Sequence, residues 1–387
     1  MPKSNTQRIL VYVQHLLGIG HLQRALQLAQ ALARQSFEVE LVSGGQPHSM
    51  IARHDFPVHQ LPALRSADGS FKTLLDENDE PIDDAWRERR KLQLLELFRR
   101  FNPQVLITET FPFGRRMLRH ELLPLLEAAR DSSDCRLVVS SIRDILQPRS
   151  NPERIAETLG YFDEFYDRVI VHGDERVAGL GDSFAAADRL DTKVGYSGYL
   201  CTRVVETRSK DGYDEVLVSA GGSATGLDIL RTAIAAKPLS VFARDRWRLL
   251  VSPAIPEHDF DKLRRTADDG VIVERNRPDF GALMHRAKLS ISQAGYNTMT
   301  DLLQTDTASV VIPFAEAAEI EQSLRAAALQ RLGRVVTLAQ ADMTAETLAQ
   351  ALAQAREHCR PLQLNLDGAA QSARMIGQWL ADPESRA

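Results

Sequence analysis

Short apolar runs alternate with longer stretches of three-to-four spacing along most of the chain. The first run, residues 8–13, is followed by Leu22, Leu26, Ala29 and Ala33, which fall on one face of a helix. Further runs at 39–42, 58–61, 104–109, 137–141, 169–172 and 193–196 predict strands separated by helical segments. Near-continuous apolar strands joined by helical crossovers predict a parallel sheet covered on both faces. A polar, charge-rich stretch over 202–214 interrupts the pattern. It then resumes at 215–219, 247–251, 270–274, 288–292, 309–313 and 334–338, with helices over 344–357 and 366–380. The chain therefore reads as α/β, with two consecutive Rossmann-like doubly wound domains. The expected division is 1–203, a linker at 204–213, 214–364, and a terminal helix at 365–387 that packs back on the first domain. In such sheets ligands bind beyond the carboxyl ends of the strands. Two facing domains of this kind would enclose a central cleft.

Composition narrows the classes. The 387 residues suit two cores, and 44% hydrophobic with 26% charged residues is the balance of a globular protein. A net charge of −5 gives no global attraction to nucleic acid or to an anionic membrane, and no interleaving of basic and aromatic residues suggests nucleic-acid binding. The three cysteines, Cys135, Cys201 and Cys359, lack Cys-x-x-Cys spacing, so neither a zinc site nor a disulfide framework is indicated. No apolar stretch resembles a signal peptide or approaches the roughly 18–20 residues of a membrane span. The expected location is the cytoplasm, with peripheral contact at the inner face of the membrane left open.

The candidate chemistry lies just after the strands. Residues 14–22, Gln-His-Leu-Leu-Gly-Ile-Gly-His-Leu, place Gly18 and Gly20 before a helix start, where the backbone can turn tightly beside free N–H groups. Gln23 stands where a dinucleotide fingerprint needs its third glycine, so this is also what a tight βα turn looks like. Residues 219–226, Ser-Ala-Gly-Gly-Ser-Ala-Thr-Gly, form a second glycine-rich turn, in which Gly221, Gly222, Ser223, Thr225 and Gly226 suit phosphate oxygens. The lysine of an ATP-hydrolysing loop is missing. Residues 292–301 follow a strand, open a helix and end in a carboxylate: Ser292, Gly295, Tyr296, Asn297 and Thr298 suit a pyrophosphate, and Asp301 a ribose diol. Glu321 and Gln322, after the next strand, suit sugar hydroxyls. Asp259 and Asp261 read as helix-start residues rather than metal ligands.

This ordered set resembles the donor half of GT-B glycosyltransferases. It is most similar to the bacterial peptidoglycan N-acetylglucosaminyltransferases, which carry the family 28 C-terminal domain, and more distantly to plant and antibiotic UDP-glycosyltransferases. The resemblance is strong over 219–333 and weaker at the first glycine turn. It implies a nucleotide-sugar donor, UDP-linked, with UDP-N-acetylglucosamine as the donor of the family it resembles, residues 221–226 and 295–298 on the diphosphate and Asp301 on the ribose. Glu274, Arg275, Asn276 and Arg277 would flank the base, and Glu321 and Gln322 would contact the sugar. Asp301 replaces the glutamate usual in the family, and Tyr296 stands closer to the tryptophan of the plant-type block. The resemblance further implies a metal-independent, inverting transfer with no cofactor besides the donor. His21 would be the base and Glu109 its orienting carboxylate, with His15 as the local competitor.

On the acceptor side, Phe111, Phe113, Arg115, Arg116 and Arg119 suit an anionic or lipid-linked acceptor. The preceding helix, with Arg87, Arg89, Arg90, Lys91, Arg99 and Arg100, reads as a solvated charged face. The alternatives are a nucleotide-sugar 2-epimerase and a non-catalytic sugar-nucleotide-binding subunit.

Overall fold

The computed structural model describes residues 6–16, 18–67, 73–147, 151–202, 204, 209–221, 226–314 and 320–382. It divides into two compact units. One comprises 1–175, 179–200 and 367–387, the other 176–178 and 201–366.

In the first unit, β1 (Arg8–Val13), β2 (Glu38–Ser43), β3 (Val58–Gln60), β6 (Val105–Glu109), β7 (Leu137–Arg143), β8 (Arg168–His172) and β9 (Val194–Tyr196) form one sheet in the order β3-β2-β1-β6-β7-β8-β9. Every pairing in it is parallel. Ile9, Val11, Val105, Ile107 and Val139 face one layer; Leu10, Tyr12, Leu106 and Val138 face the other. Period-two alternation puts successive side chains on opposite faces, and here both faces are apolar because both are covered by helices. One layer holds α1 (Gly20–Arg34) and the terminal helix α11 (Gly368–Ala381), whose Ala373, Met375 and Ile376 share a core with Leu22, Leu26 and Ala29. The other holds α2 (Asp84–Phe101), α3 (Arg119–Asp131) and α4 (Pro152–Phe165), joined through Leu94, Phe98, Leu122, Leu125 and Phe162. A two-residue antiparallel pair, β4 (Arg65–Ser66) with β5 (Leu74–Leu75), has no counterpart in the apolar pattern.

The second unit carries β10 (Val216–Ser219), β11 (Trp247–Val251), β12 (Val271–Arg275), β13 (Leu289–Ser292), β14 (Ala308–Val311) and β15 (Val336–Thr337), ordered β12-β11-β10-β13-β14-β15 and again parallel throughout. Its helices are α5 (Leu227–Ala236), α6 (Glu257–Thr266), α7 (Phe280–Arg286), α8 (Tyr296–Leu303), α9 (Glu321–Arg331) and α10 (Ala345–His358). Ile229, Leu230 and Ala233 of α5 and Leu348 and Leu352 of α10 pack on Val216, Val218 and Leu249.

One charge reads differently in three dimensions. Arg90 is fully buried, not solvated. Its Nε and Nη2 donate to Glu121 (2.6 and 3.0 Å), Nη1 to the Gly44 carbonyl (2.9 Å), and Nη2 also to Gln14 Oε1 (2.6 Å). A guanidinium tolerates burial when its fork meets a carboxylate and its remaining N–H groups find acceptors.

Candidate functional site

Each sheet reverses its direction of growth once. In the first sheet the chain builds outward from β1 to β3, then returns to place β6 on the other side of β1. In the second it builds from β10 to β12, then places β13 on the other side of β10. Open parallel sheets bind ligands at such switch points, because the loops after the two strands part there. The predicted residues gather at both.

At the first switch point, His21 is the second residue of α1 and Glu109 the last of β6, and the parallel pairing of β1 with β6 brings them together. His21 Nδ1 lies 2.7 Å from Glu109 Oε2. Arg24, one helical turn after His21, donates to Glu109 Oε1 (2.6 Å), and the Thr110 hydroxyl donates to Oε2 (2.5 Å). The carboxylate is 2% exposed. Burial alone would raise its pKa; the pull of His21 and Arg24 outweighs burial and holds it well below the usual carboxylate range. Glu109 Oε2 accepts from Nδ1 in the tautomer that leaves the lone pair on Nε2; Arg24 Nη2, a donor only, also stands 3.0 Å from Nδ1. Burial lowers the His21 pKa to about 4 despite the opposing pull of Glu109, and Arg24 adds to the lowering. The imidazole is neutral at pH 7, the protonation state of a general base. Thr110 has φ +72°, a left-handed conformation unusual for a β-branched residue. His15 lies elsewhere, with Nε2 3.1 Å from the Gln46 carbonyl and its ring against Gly45.

Gly18 is exposed and Gly20 begins α1; a Cβ on Gly18 would find nothing within 4 Å, and one on Gly20 only Arg24 Nη1 at 4.0 Å. Beside His21 opens a cleft of about 450 Å³, lined by Phe113, Met117 and Leu146 and by Arg115, Arg116, Arg119, Arg143 and Arg154. Arg143 and Arg154, from β7 and α4, escaped the sequence reading because they lie 28 and 39 residues after Arg115 and reach it only through the fold. Arg24 carried a signal, since it follows His21 at helical i, i+3 spacing.

At the second switch point, Gly221 (φ +75°) turns the chain after β10; a Cβ there would stand 3.1 Å from Gln293 Oε1. Gly226 caps α5 against Ala220, where a Cβ would overlap. Gly222, Ser223 and Thr225 lie outside the described residues. After β13, Gly295 is the N-cap of α8 (φ −61°) and, as a glycine, has no side chain with which to cap it. A Cβ on Gly295 would meet nothing within 4 Å. Three buried polar atoms from the segments after β12 and β13 have no partner among the described residues: Asn276 Oδ1, Ser292 Oγ and Gln293 Nε2. Asn276 is held by its Nδ2 to the Gly221 carbonyl (3.2 Å). Buried polar groups in folded proteins are ordinarily paired, so such a cluster marks a place for a polar ligand.

The other residues take varied positions. Asn297 is exposed and Thr298 half-buried. Tyr296 is buried with Arg325 over its ring at 5.6 Å. Asp301, on the second turn of α8, packs against Gly281, and burial raises its pKa to about 6. Gln322 Oε1 accepts from the N–H groups of Ala294 (3.0 Å) and Phe314 (3.1 Å), so one amide oxygen ties together the loops after β13 and β14. Glu321 accepts from Arg325, which also donates to the Ala294 carbonyl (2.8 Å). Arg275 turns away from the strand end: it donates to the carbonyls of Ser252 and Ile255, pairs with Glu257 and lies 4.1 Å over the Phe260 ring. Glu274 accepts from the buried Arg248 (2.7 Å), and Arg277 is bidentate to Asp279. Arg116 is exposed and paired with Glu157. Asp259, in the first turn of α6, accepts from Arg231 (2.9 Å).

Comparison with known proteins bears on the second unit above all. Residues 217–374 match the model of the glycosyltransferase family 28 C-terminal domain. Over 105 residues the chain is 39% identical to the UDP-N-acetylglucosamine--N-acetylmuramyl-(pentapeptide) pyrophosphoryl-undecaprenol N-acetylglucosamine transferase of Gloeobacter violaceus, covering 27% of each protein. The Brucella anthropi protein of the same name is 27% identical over 164 residues, 41% of this chain and 42% of its own. The match thus spans well under half the length of these curated relatives. Among solved structures, Acinetobacter baumannii MurG superimposes with a TM-score of 0.60 at 15% identity, covering 96% of this chain and 99% of that one. CalG4, the calicheamicin glycosyltransferase, gives 0.64 at 12% identity over 98% and 99%. The chain has the GT-B fold, and its second half is similar to the C-terminal domain of glycosyltransferase family 28.

Proposed function

We propose that this protein transfers a sugar from a nucleoside diphosphate donor, UDP-linked, to an acceptor hydroxyl, with inversion and without a metal. One observation carries the reading. The region matched by the family 28 domain includes the switch point where the N-terminus of α8, the Gly221 turn and the Asn276, Ser292 and Gln293 atoms that lack a partner among the described residues converge. In the transfer, the bond from the anomeric carbon to the diphosphate oxygen breaks and negative charge grows on the leaving group. Backbone N–H groups at a helix N-terminus stabilise such charge without reorganising. Asp301 accepts from the ribose hydroxyls, and Gln322, its oxygen already engaged, offers its NH₂ to the sugar. His21 takes the proton of the acceptor hydroxyl at Nε2 while Glu109 fixes the tautomer.

The relatives' names give a pyrophosphoryl-undecaprenol-linked acceptor, and an acceptor of that kind would bring the chain to the inner face of a membrane. Among the described residues no helix is long and apolar enough to cross one. The test is release of UDP from UDP-N-acetylglucosamine and other UDP-sugars, with and without acceptors of this class. Acceptor-dependent release that disappears in His21→Ala supports the reading. A protein that binds no nucleoside diphosphate while fully folded removes it.

A further inference from the structure

Two groups beside His21 Nδ1 make opposite demands on it. Glu109 Oε2, 2.7 Å away, is an acceptor in its ionised form and calls for a proton on Nδ1. Arg24 Nη2, 3.0 Å away, can only donate and calls for a lone pair there. A third group can do either. The Thr110 hydroxyl lies 3.2 Å from Nδ1 and gives its own proton to Glu109 Oε2 at 2.5 Å. With that proton engaged, Thr110 Oγ1 turns a lone pair to Nδ1, and the hydroxyl sides with the carboxylate.

The backbone that presents this hydroxyl is strained. Thr110 follows β6 with φ +72°, a region that a β-branched residue seldom enters and keeps only where its surroundings over-determine it. Here they do. The Thr110 N–H donates to the Ser141 carbonyl (2.8 Å), and its own carbonyl accepts from the Gly114 N–H (2.9 Å). The next carbonyl, of Phe111, accepts from the buried hydroxyls of Thr108 (3.0 Å) and Ser140 (2.8 Å). Gly114 completes the seat: a Cβ there would stand 2.3 Å from Thr110 Cγ2 but 3.6 Å from Thr110 Cβ. The methyl group is what needs that space. Methyl and hydroxyl share one Cβ, so the slot that takes the first aims the second.

Resting on the reading of His21 as a transferase base, we propose that Thr110 is its positioning residue. The seated hydroxyl secures the proton on Nδ1 against the competing Arg24 donor, and so keeps the Nε2 lone pair free for the acceptor hydroxyl. Glu109 sets this tautomer and Thr110 holds it. The strained backbone has the same explanation, because glycine would suit φ +72° but would bring no hydroxyl.

Nitrogen-15 spectra of the full chain, labelled at histidine and recorded at neutral pH, read the tautomer directly. A ring nitrogen that bears hydrogen resonates far from one that bears a lone pair, and His21→Gln assigns the signals. In wild type Nδ1 should carry the hydrogen and Nε2 the lone pair. Thr110→Val keeps the branched shape and removes the hydroxyl; it should shift the tautomer ratio about tenfold toward hydrogen on Nε2, the effect of losing one hydrogen bond in a charged cluster. Gly114→Ala should reproduce that shift with the hydroxyl still in the sequence, since its methyl displaces Thr110 Cγ2. Thr110→Ser combined with Gly114→Ala should restore the wild-type spectrum, because serine has no methyl to clash. A threonine that only packed would not be repaired in this way. Thr110→Gly serves if Thr110→Val fails to fold: it should melt no lower than wild type, its backbone being relaxed, and still show the nitrogen shift. Unchanged His21 signals in folded Thr110→Val or Thr110→Gly, or no recovery in the double variant, overturn the proposal. Sugar transfer that survives His21→Ala removes the base reading instead, and leaves the nitrogen spectra to decide whether Thr110 holds the tautomer.

Discussion

Asp301 is where stability and binding pull in opposite directions. Its carboxylate sits on α8 against Gly281, and burial raises its pKa from 3.8 to about 6. Because the folded value is raised, ionisation costs stability. The cost is absent below about pH 3.8, grows between the two values, and is complete above pH 6. The shift of roughly two units corresponds to ~3 kcal/mol at pH 8 and ~1.5 kcal/mol at pH 5, as upper figures. Asp301→Asn keeps the shape and removes the charge. At pH 8 it should stabilise the second unit by about 1–3 kcal/mol, or about 3–10 °C in melting temperature for a domain of this size, with a smaller gain at pH 5. The same change should weaken UDP binding about tenfold, since a neutral amide accepts more weakly and offers one oxygen where the carboxylate offered two. Differential scanning calorimetry at both pH values, with and without UDP, reads both effects. A variant that melts lower at pH 8, or that binds UDP as tightly as wild type, would refute the reasoning and make Asp301 an ordinary structural acceptor.

Arg24 pairs with the ionised Glu109 and adds to the burial that keeps His21 uncharged. In Arg24→Met the His21 midpoint, followed by NMR of the ring carbon and assigned with His21→Gln, should rise from about 4 while burial still holds it below the ordinary imidazole value; an unmoved midpoint would show that Arg24 does not tune it. His172 is buried between Ser141 and Ser197, and burial lowers its pKa from 6.5 to about 3. The unfolded chain therefore takes up its proton first, and stability falls as pH drops from 6.5 toward 3, by ~3 kcal/mol at pH 4. His172→Gln should flatten that slope in acid unfolding followed by circular dichroism; an unchanged slope would contradict the assignment. Gln322→Ala frees two loop N–H groups at once and should raise the KM for the donor more than tenfold while the protein stays folded, whereas a role confined to loop packing would lower the melting temperature and leave KM alone.

The strands were legible because buried parallel strands are continuous apolar runs, and 247–251 coincides with β11. The pair β4–β5 was not, since two residues make no period. The pairing of His21 with Glu109 was legible because both stand at strand ends that a doubly wound sheet makes neighbours. Partners that depend on packing were not. Nothing local marks Arg90 as the buried mate of Glu121, 31 residues away, and its neighbours in sequence are charges too, Arg89 exposed and Lys91 half-buried. Arg275 reads like Asn276, its neighbour, yet strand alternation sends one side chain toward Phe260 and the other toward Gly221. Gln322 was read as a sugar ligand from its position alone; that its oxygen ties two loops follows only from the spacing of β13 and β14 in the sheet.

The central claim is that the N-terminus of α8 receives a nucleoside diphosphate, and Gly295→Asp tests it most directly. Gly295 has an ordinary φ and open space for a side chain, so aspartate fits the fold. As an N-cap beside the helix dipole it should leave the melting temperature unchanged or raise it slightly. UDP at about a hundred times its Kd should stabilise the wild type by ~2.7 kcal/mol and the variant hardly at all, because the carboxylate repels the diphosphate. Equal stabilisation of both proteins, or of neither, would contradict the account.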